Sequence, residues 1–228
     1  MHRKGAQDAK RAKLFTKIIR EITVAAKAGG SDPDTNPRLR AALINARSSN
    51  MGKETIEKAI HKGAGGGDDG REWQEIRYEG YGPGGAAILV ETLTDNRNRT
   101  APEIRSLFSK NGGNLGEINS VSYLFKHLGA IVYPKSIEEE KLMDIALEHD
   151  LQDFTTDEEN HTITCPLESF VGLRDTLIQH FGDPLMARLA WIPELPLTLK
   201  DDHRETFEKL MDALEDHDDT QNVWSNAS

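Results

Sequence analysis

The chain is short of cysteine, of aromatic residues and of long apolar runs, and each shortage excludes something. Cys165 is the single cysteine among 228 residues. One thiol closes no internal disulfide, so a disulfide-stapled scaffold is excluded and a reducing compartment is expected. No apolar stretch approaches the ~20 residues that a bilayer-spanning helix needs, and no signal-peptide apolar region stands out. The expectation is a cytoplasmic protein with no membrane partner. Aromatics make up only 6% and charged residues 29%, a polar balance for a globular chain.

Signatures of catalysis and of cofactor binding are equally scarce. Eight histidines are scattered, none spaced from another His or Cys as zinc ligands are. The acidic run Thr156 to Asn160 lacks the glycine and register of a calcium loop. The glycine-rich "EGYGPGG" and "SKNGGNLG" do not carry phosphate-loop spacing, and Gly80 to Gly85 leads into a strand where a dinucleotide fingerprint opens a helix. Cys165 sits on an apolar strand beside Pro166, which reads as a buried structural thiol rather than a nucleophile. No catalytic residue, metal, cofactor or small-molecule substrate is therefore expected.

What the chain does have is charge of opposite sign in different places. Residues 1 to 63 hold 14 Lys/Arg against 6 Asp/Glu, while residues 64 to 228 hold 14 against 32. The overall -10 thus hides a basic unit of +8 joined to an acidic body of -18. Screening limits each charge to ~8 Å at physiological salt, so an anionic partner senses the local unit. From His2 to Arg20, seven residues are Lys or Arg and one, Asp8, is acidic.

The basic unit reads as three helices. Leu14, Phe15, Ile18, Ile19, Ile22 and Ala26 form an apolar stripe; Lys10, Lys13, Lys17 and Arg20 form a basic one. Gly29-Gly30 ends this helix. Asn36 caps a second with Pro37 in its first position, and a third ends at Gly63. "GAGGGDDG", residues 63 to 70, has linker composition and coincides with the change of charge.

Beyond the linker the period falls to about 2. Strands flank a turn at 82 to 85, Thr100 to Glu103 has capping-box spacing for a helix, and Val121 to Lys126 reads as a strand. Residues 130 to 193 give the order βαββαβ, the ferredoxin-like split unit. "LPLTL", a helix over 202 to 215, and "TQNVW" complete a second such set with residues 86 to 126. The expected fold is α+β and multidomain: a helical domain at 1–66, a discontinuous α/β domain at 71–129 plus 194–228, and a ferredoxin-like domain at 130–193 inserted in it. Tyr123 and Phe125 alternate with Val121 on one strand; without an RNP1 pattern, core packing is the better reading than base stacking.

Two segments suit phosphate. Cations every three to four positions track a nucleic-acid backbone and release its counterions, although a solvated face is the commoner fate of a charge run. "TDNRNRT", residues 94 to 100, places Arg97 and Arg99 in a strand-to-helix loop, where free amides and guanidinium forks hold anions. A polar loop capping its own helix is the alternative.

"HRKGAQDAKRAKLFTKIIREI", "NPRLRAAL", "IRYEGYGPGGAAILVETLTDNRNRT", "FSKNGGNLG" and "DALEDHDDTQNVWSNA" closely resemble the YebC family, related to the translational activator of mitochondrial cytochrome c oxidase. The resemblance covers nearly the whole chain. It implies a helical domain and two α/β domains, a cytoplasmic bacterial protein and no catalytic chemistry. The family is described both as DNA-binding transcription regulators and as ribosome-associated translation factors that relieve stalling. Matched by position, its basic residues are Arg3, Lys4, Lys10, Arg11, Lys13, Lys17, Arg20, Arg38 and Arg40, with Arg97 and Arg99 in the Asp-Asn-Arg-Asn-Arg loop. Family members usually carry a further Ser-Lys-Trp-containing segment ahead of the His-Arg-Lys; here that triplet follows Met1 directly.

The expected function is a non-enzymatic regulator of gene expression that grips phosphate backbone through these residues. DNA or ribosomal RNA is the expected partner, with the ribosome or another basic protein beside it. The first helix offers mostly Lys, which suits backbone contact more than base readout. The rivals are an enzyme with a site in an inter-domain cleft and a protein-only adaptor using the acidic faces.

Overall fold

The computed structural model describes residues 2–66 and 70–227, with side chains from residue 8 onward. Residues 67–69 of the expected linker lie outside the described residues. The chain divides into two compact units. One comprises Met1–Lys17, Asp69–Lys126 and Trp191–Ser228; the other comprises Ile18–Asp68 and His127–Ala190.

Helix α1 runs His2–Gly29, so its first half counts with the first unit and its second half with the second. Helices α2 (Pro37–Ser48) and α3 (Lys53–Gly63) follow. Asn36 joins α1 to α2 through three hydrogen bonds of its amide. Its Oδ1 accepts from the Leu39 N–H at 3.0 Å, capping α2. Its Nδ2 donates to Ala25 O and Gly30 O, each at 2.8 Å, and so ties down the end of α1. Ile22 and Ala25 of α1 and Leu39 and Ala46 of α2 are fully buried. A buried Leu or Ile contributes about 1.5–3 kcal/mol, which outweighs the near-zero amphipathic gain of any of these short helices alone.

The first unit is built on a four-stranded antiparallel sheet of order β3-β1-β2-β8. Its strands are β1 (Gln74–Tyr81), β2 (Ala87–Thr94), β3 (Asn114–Leu115) and β8 (Thr220–Ser225). β1 and β2 close on the turn Pro83–Gly85, where Gly84 and Gly85 take φ of 71° and 81°, a region an L side chain rarely adopts. Helices α4 (Arg97–Lys110) and α7 (Asp201–Asp216) supply Ile104, Phe108, Phe207, Leu210 and Leu214 to a core with Ile88 and Val90. The opposite face buries Ala87 and Leu89 under Val121, Phe125, Trp191 and Trp224.

The second sheet has order β5-β6-β4-β7, the ferredoxin-like arrangement. Its strands are β4 (Phe125–Pro134), β5 (Asp153–Thr156), β6 (Asn160–Cys165) and β7 (Met186–Pro193). Helices α5 (Glu139–Leu147) and α6 (Leu167–Phe181) cover one face. Ile131, Tyr133, Leu142, Ile163, Leu173 and Leu177 form its core, and Ile44 of α2 belongs to the same cluster. The class is α+β as expected, and the strands of this sheet fall in sequence between those of the first.

Three expected elements differ. Helix α4 begins at Arg97, not Thr100, because the Asn96 side chain already caps it through the Arg99 N–H. Val121–Lys126 is not a separate strand. The buried Glu79 carboxylate accepts from the Val121 and Ser122 N–H groups at 3.0 and 2.9 Å, and the chain turns through Ser122–Leu124 before β4 starts. Val121 and Phe125 therefore reach the core while Tyr123 is 67% exposed. "LPLTL" makes only an isolated parallel bridge, Leu197 to Ala227. Pro196 removes an N–H group that a ladder needs there.

Candidate nucleic-acid interface

The expected phosphate-binding residues meet different fates. Arg3 and Lys4 lie in the first turns of α1, and their side chains fall outside the described residues. Lys10 is exposed and forms no ion pair among the described residues. Arg11 is exposed too, its guanidinium 5.2 Å above the Phe15 ring. That contact holds the planar group without neutralising it.

One and two turns further along, the lysines turn inward. Lys13 Nζ stands 3.1 Å from Asp216 Oδ2 and donates to Asp216 O at 3.2 Å. Lys17 Nζ donates to Glu215 O. Both meet the C-terminal end of α7. Burial lowers the pKa of Lys17, against the opposing pull of Glu215, Asp216 and Asp218. Arg20 is half-buried.

In the second unit the two expected contacts on α2, Arg38 and Arg40, are committed to acids. Arg38 makes a two-pronged bond to Glu21, Nε to Oε1 at 2.6 Å and Nη2 to Oε2 at 2.9 Å. Arg40 pairs with Asp34 and with Asp175 at 3.2 Å, and donates to Pro33 O. Such part-exposed pairs contribute little stability each, about 0–1 kcal/mol, but they fix where the guanidinium points.

The Arg97/Arg99 loop divides in the same way. Arg97, in the first position of α4, is exposed and unpaired among the described residues. Arg99 donates from Nη2 to Asp219 Oδ2 at 2.8 Å and to Asp95 Oδ1 at 3.2 Å. Asp219 is 3% exposed and also accepts from Thr100 and Thr94 hydroxyls at 2.7 and 3.1 Å. Burial works against its ionisation, but Arg99 and the two threonines outweigh it, and its pKa is held below the usual aspartate value. The arrangement locks the end of β2, the start of α4 and the turn before β8 together. Thr100, which sequence spacing suggested as a helix cap, is spent on this lock.

Sequence reasoning missed Asp219, and nothing local marks it: its partners arrive from more than a hundred positions away. It also missed Glu91, which accepts from Trp191 Nε1, Asn222 Nδ2 and Trp224 Nε1 at 2.9, 3.1 and 3.2 Å. Arg77 lies 4.7 Å above the Trp191 ring beside them. The acidic end of α7 did carry a signal: its last turn holds Glu215 and Asp216 and no base, an arrangement that asks for cations from elsewhere.

Among the described residues no cluster of His, Cys, Asp and Glu is arranged to hold a metal ion, and no helix is long and apolar enough to cross a membrane. Residues 1–66 match the model of the TACO1/YebC protein N-terminal domain, and residues 73–227 match that of the TACO1/YebC second and third domain. A protein of Geotalea uraniireducens (strain Rf4), named "Probable transcriptional regulatory protein", is 50% identical over 225 residues, which is 99% of this chain and 91% of that protein. The crystal structure of a conserved hypothetical protein, Aq1575 from Aquifex aeolicus, superposes with a TM-score of 0.85 at 43% identity, covering 97% of this chain and 91% of that one.

Proposed function

We propose that this chain, which belongs to the TACO1/YebC family, is a non-enzymatic, nucleic-acid-associated regulator of gene expression in the cytoplasm. The observation that carries the reading is the segregation of charge, +8 over residues 1 to 63 against -18 over the remainder. The name of the Geotalea relative supports transcription as the process. A ribosome-associated role in translation rests on the same chemistry, since both need contact with phosphate backbone.

In this reading the leading phosphate contacts come from Arg3, Lys4, Lys10 and Arg11 on α1 and from Arg97 on α4. Lys13, Lys17, Arg20, Arg38, Arg40 and Arg99 join as internal partners are exchanged for phosphate. The layout consists of a basic helical domain at 1–66, a discontinuous α/β domain at 71–129 and 194–228, and an inserted domain at 130–193. The acidic faces position the protein or meet a basic partner. No cofactor is needed for this work.

The test is crosslinking in cells followed by sequencing of the attached nucleic acid, with ribosome co-sedimentation in parallel. Sedimentation with the large subunit that survives DNase supports translation, whereas promoter-limited footprints support transcription. Recovery of no nucleic acid above background overturns the proposal. It would leave a protein-only adaptor, a reading favoured by the internal pairing of Arg38, Arg40 and Arg99.

A further inference from the structure

Helix α7 ends against the grain of its own dipole. The C-terminus of a helix carries about half a negative charge and favours cations. Here the last turn holds Glu215 and Asp216, has no base, and is followed by Asp218 and Asp219. The compensating charge comes from another helix. Lys13 reaches the Asp216 carboxylate at 3.1 Å and its carbonyl at 3.2 Å, and Lys17 reaches the Glu215 carbonyl.

These lysines follow Lys10 at three and seven positions, so the α7 terminus lies along the face of α1 that carries Lys10. A cluster of carboxylate and carbonyl oxygens around two ammonium groups presents what a backbone phosphate presents: anionic oxygens at hydrogen-bond distance. The Lys13–Asp216 pair is open to water, with side chains 43% and 58% exposed, so it exchanges with a competing anion at small cost.

We infer that the acidic end of α7 is an internal phosphate mimic that occupies Lys13 and Lys17 and sets how much of α1 is offered to nucleic acid. This rests on the reading of α1 as a phosphate-binding helix. Without nucleic acid the two lysines stabilise α7. A polyanion that engages Lys10 and Arg11 extends along the helix by displacing Glu215 and Asp216. Weak partners engage only the first contacts, and a dense, continuous backbone takes all of them. The device makes affinity depend on how many adjacent phosphates the partner presents, and it suppresses attachment to isolated anions.

The test compares the full-length protein with an E215Q/D216N variant, using a labelled RNA hairpin and a DNA duplex of equal length, by fluorescence anisotropy over a series of salt concentrations. D201N/D202N is the charge-matched control. Its substitutions lie at the far end of the same helix, about 20 Å away at ~1.5 Å per residue and beyond the ~8 Å screening length. In E215Q/D216N affinity at low salt rises about tenfold, because Lys13 and Lys17 no longer leave the field of the α7 carboxylates to reach phosphate; the control does not change. Adding K13Q/K17Q to E215Q/D216N abolishes the gain, which separates release of these lysines from a general loss of acid.

Thermal melting of each variant confirms that the fold is kept. Wild-type protein that binds neither probe overturns the phosphate-binding reading itself. Wild-type binding with E215Q/D216N matching D201N/D202N overturns the mimic alone.

Discussion

Arg99 and Asp219 stand 2.8 Å apart, Nη2 to Oδ2, across 120 residues of sequence. The pair turns one arginine of the first turn of α4 into a structural bolt, while Arg97, two positions earlier, stays exposed. The same carboxylate takes the Thr94 and Thr100 hydroxyls, so one acid closes a strand end, a helix start and a turn at once.

Asp219→Ala removes the acceptor shared by two buried hydroxyls and a guanidinium, leaving Thr94 and Thr100 only each other and Asn96 O as acceptors, and Arg99 only Asp95. Such losses cost about 1–3 kcal/mol for each buried group left unmade, less for the half-exposed Arg99. A net destabilisation of about 2–4 kcal/mol is expected in urea unfolding. An unchanged midpoint contradicts the lock.

Arg97→Gln and Arg99→Gln are expected to separate. The first lowers nucleic-acid affinity and the salt slope by about 1, with the melting temperature held. The second lowers stability by about 1–2 kcal/mol because it uncovers Asp219. Paired melting and binding curves on both variants check this, and identical behaviour of the two defeats it.

Acid should weaken the first unit through two carboxylates. Burial opposes ionisation of Glu79, but the N–H groups of Val121, Asn119 and Ser122 and the Arg77 charge outweigh it, leaving its pKa lowered. Asp219 is lowered as well. A folded pKa below the unfolded one stabilises fully above the ordinary carboxylate range, about 4, and the contribution fades as pH falls through the lower folded value. Unfolding free energy is therefore expected to fall as pH drops below the ordinary carboxylate range, about 4. Glu79→Gln should flatten that drop while lowering stability at neutral pH, as urea titrations across this range would record.

Gly63→Ala tests the contact of α3 with α1. A Cβ at this position meets the Thr23 carbonyl and lies 2.8 Å from Ala26 Cβ, so the helices must part. Overpacking of this kind costs about 1–3 kcal/mol, and circular dichroism melts should show it. A neutral substitution would mean that α3 yields more freely than its buried Ala59 suggests.

Cys165 is fully buried and burial pushes its thiol up to about 11. Native protein is expected to resist thiol reagents at neutral pH, and to react stoichiometrically once unfolded. Rapid native labelling would place the thiol outside the core of the second sheet.

Much of this was legible locally. Asn36, Pro37 and the apolar stripe of α1 announce their helices, because capping and 3.6-residue periodicity act over a few neighbours. The alternation through residues 130 to 193 announces the second sheet. Val121–Lys126 misled because period 2 was present while the decisive partner, the Glu79 carboxylate, came from another strand. "LPLTL" misled because its apolar content suggested a strand, while Pro196 denies a ladder one of its N–H groups.

The sequence by itself determined where positive and negative charge accumulate, most of the helices, the strands of the second sheet, and that its one thiol closes no internal disulfide. Those properties follow from composition and from interactions between near neighbours. Only the tertiary structure decided which cations remain available. An ion pair depends on distances of a few ångströms between residues the chain brings together from far apart, so of Lys10 and Lys13, alike in sequence, the first forms no ion pair among the described residues and the second is held by α7.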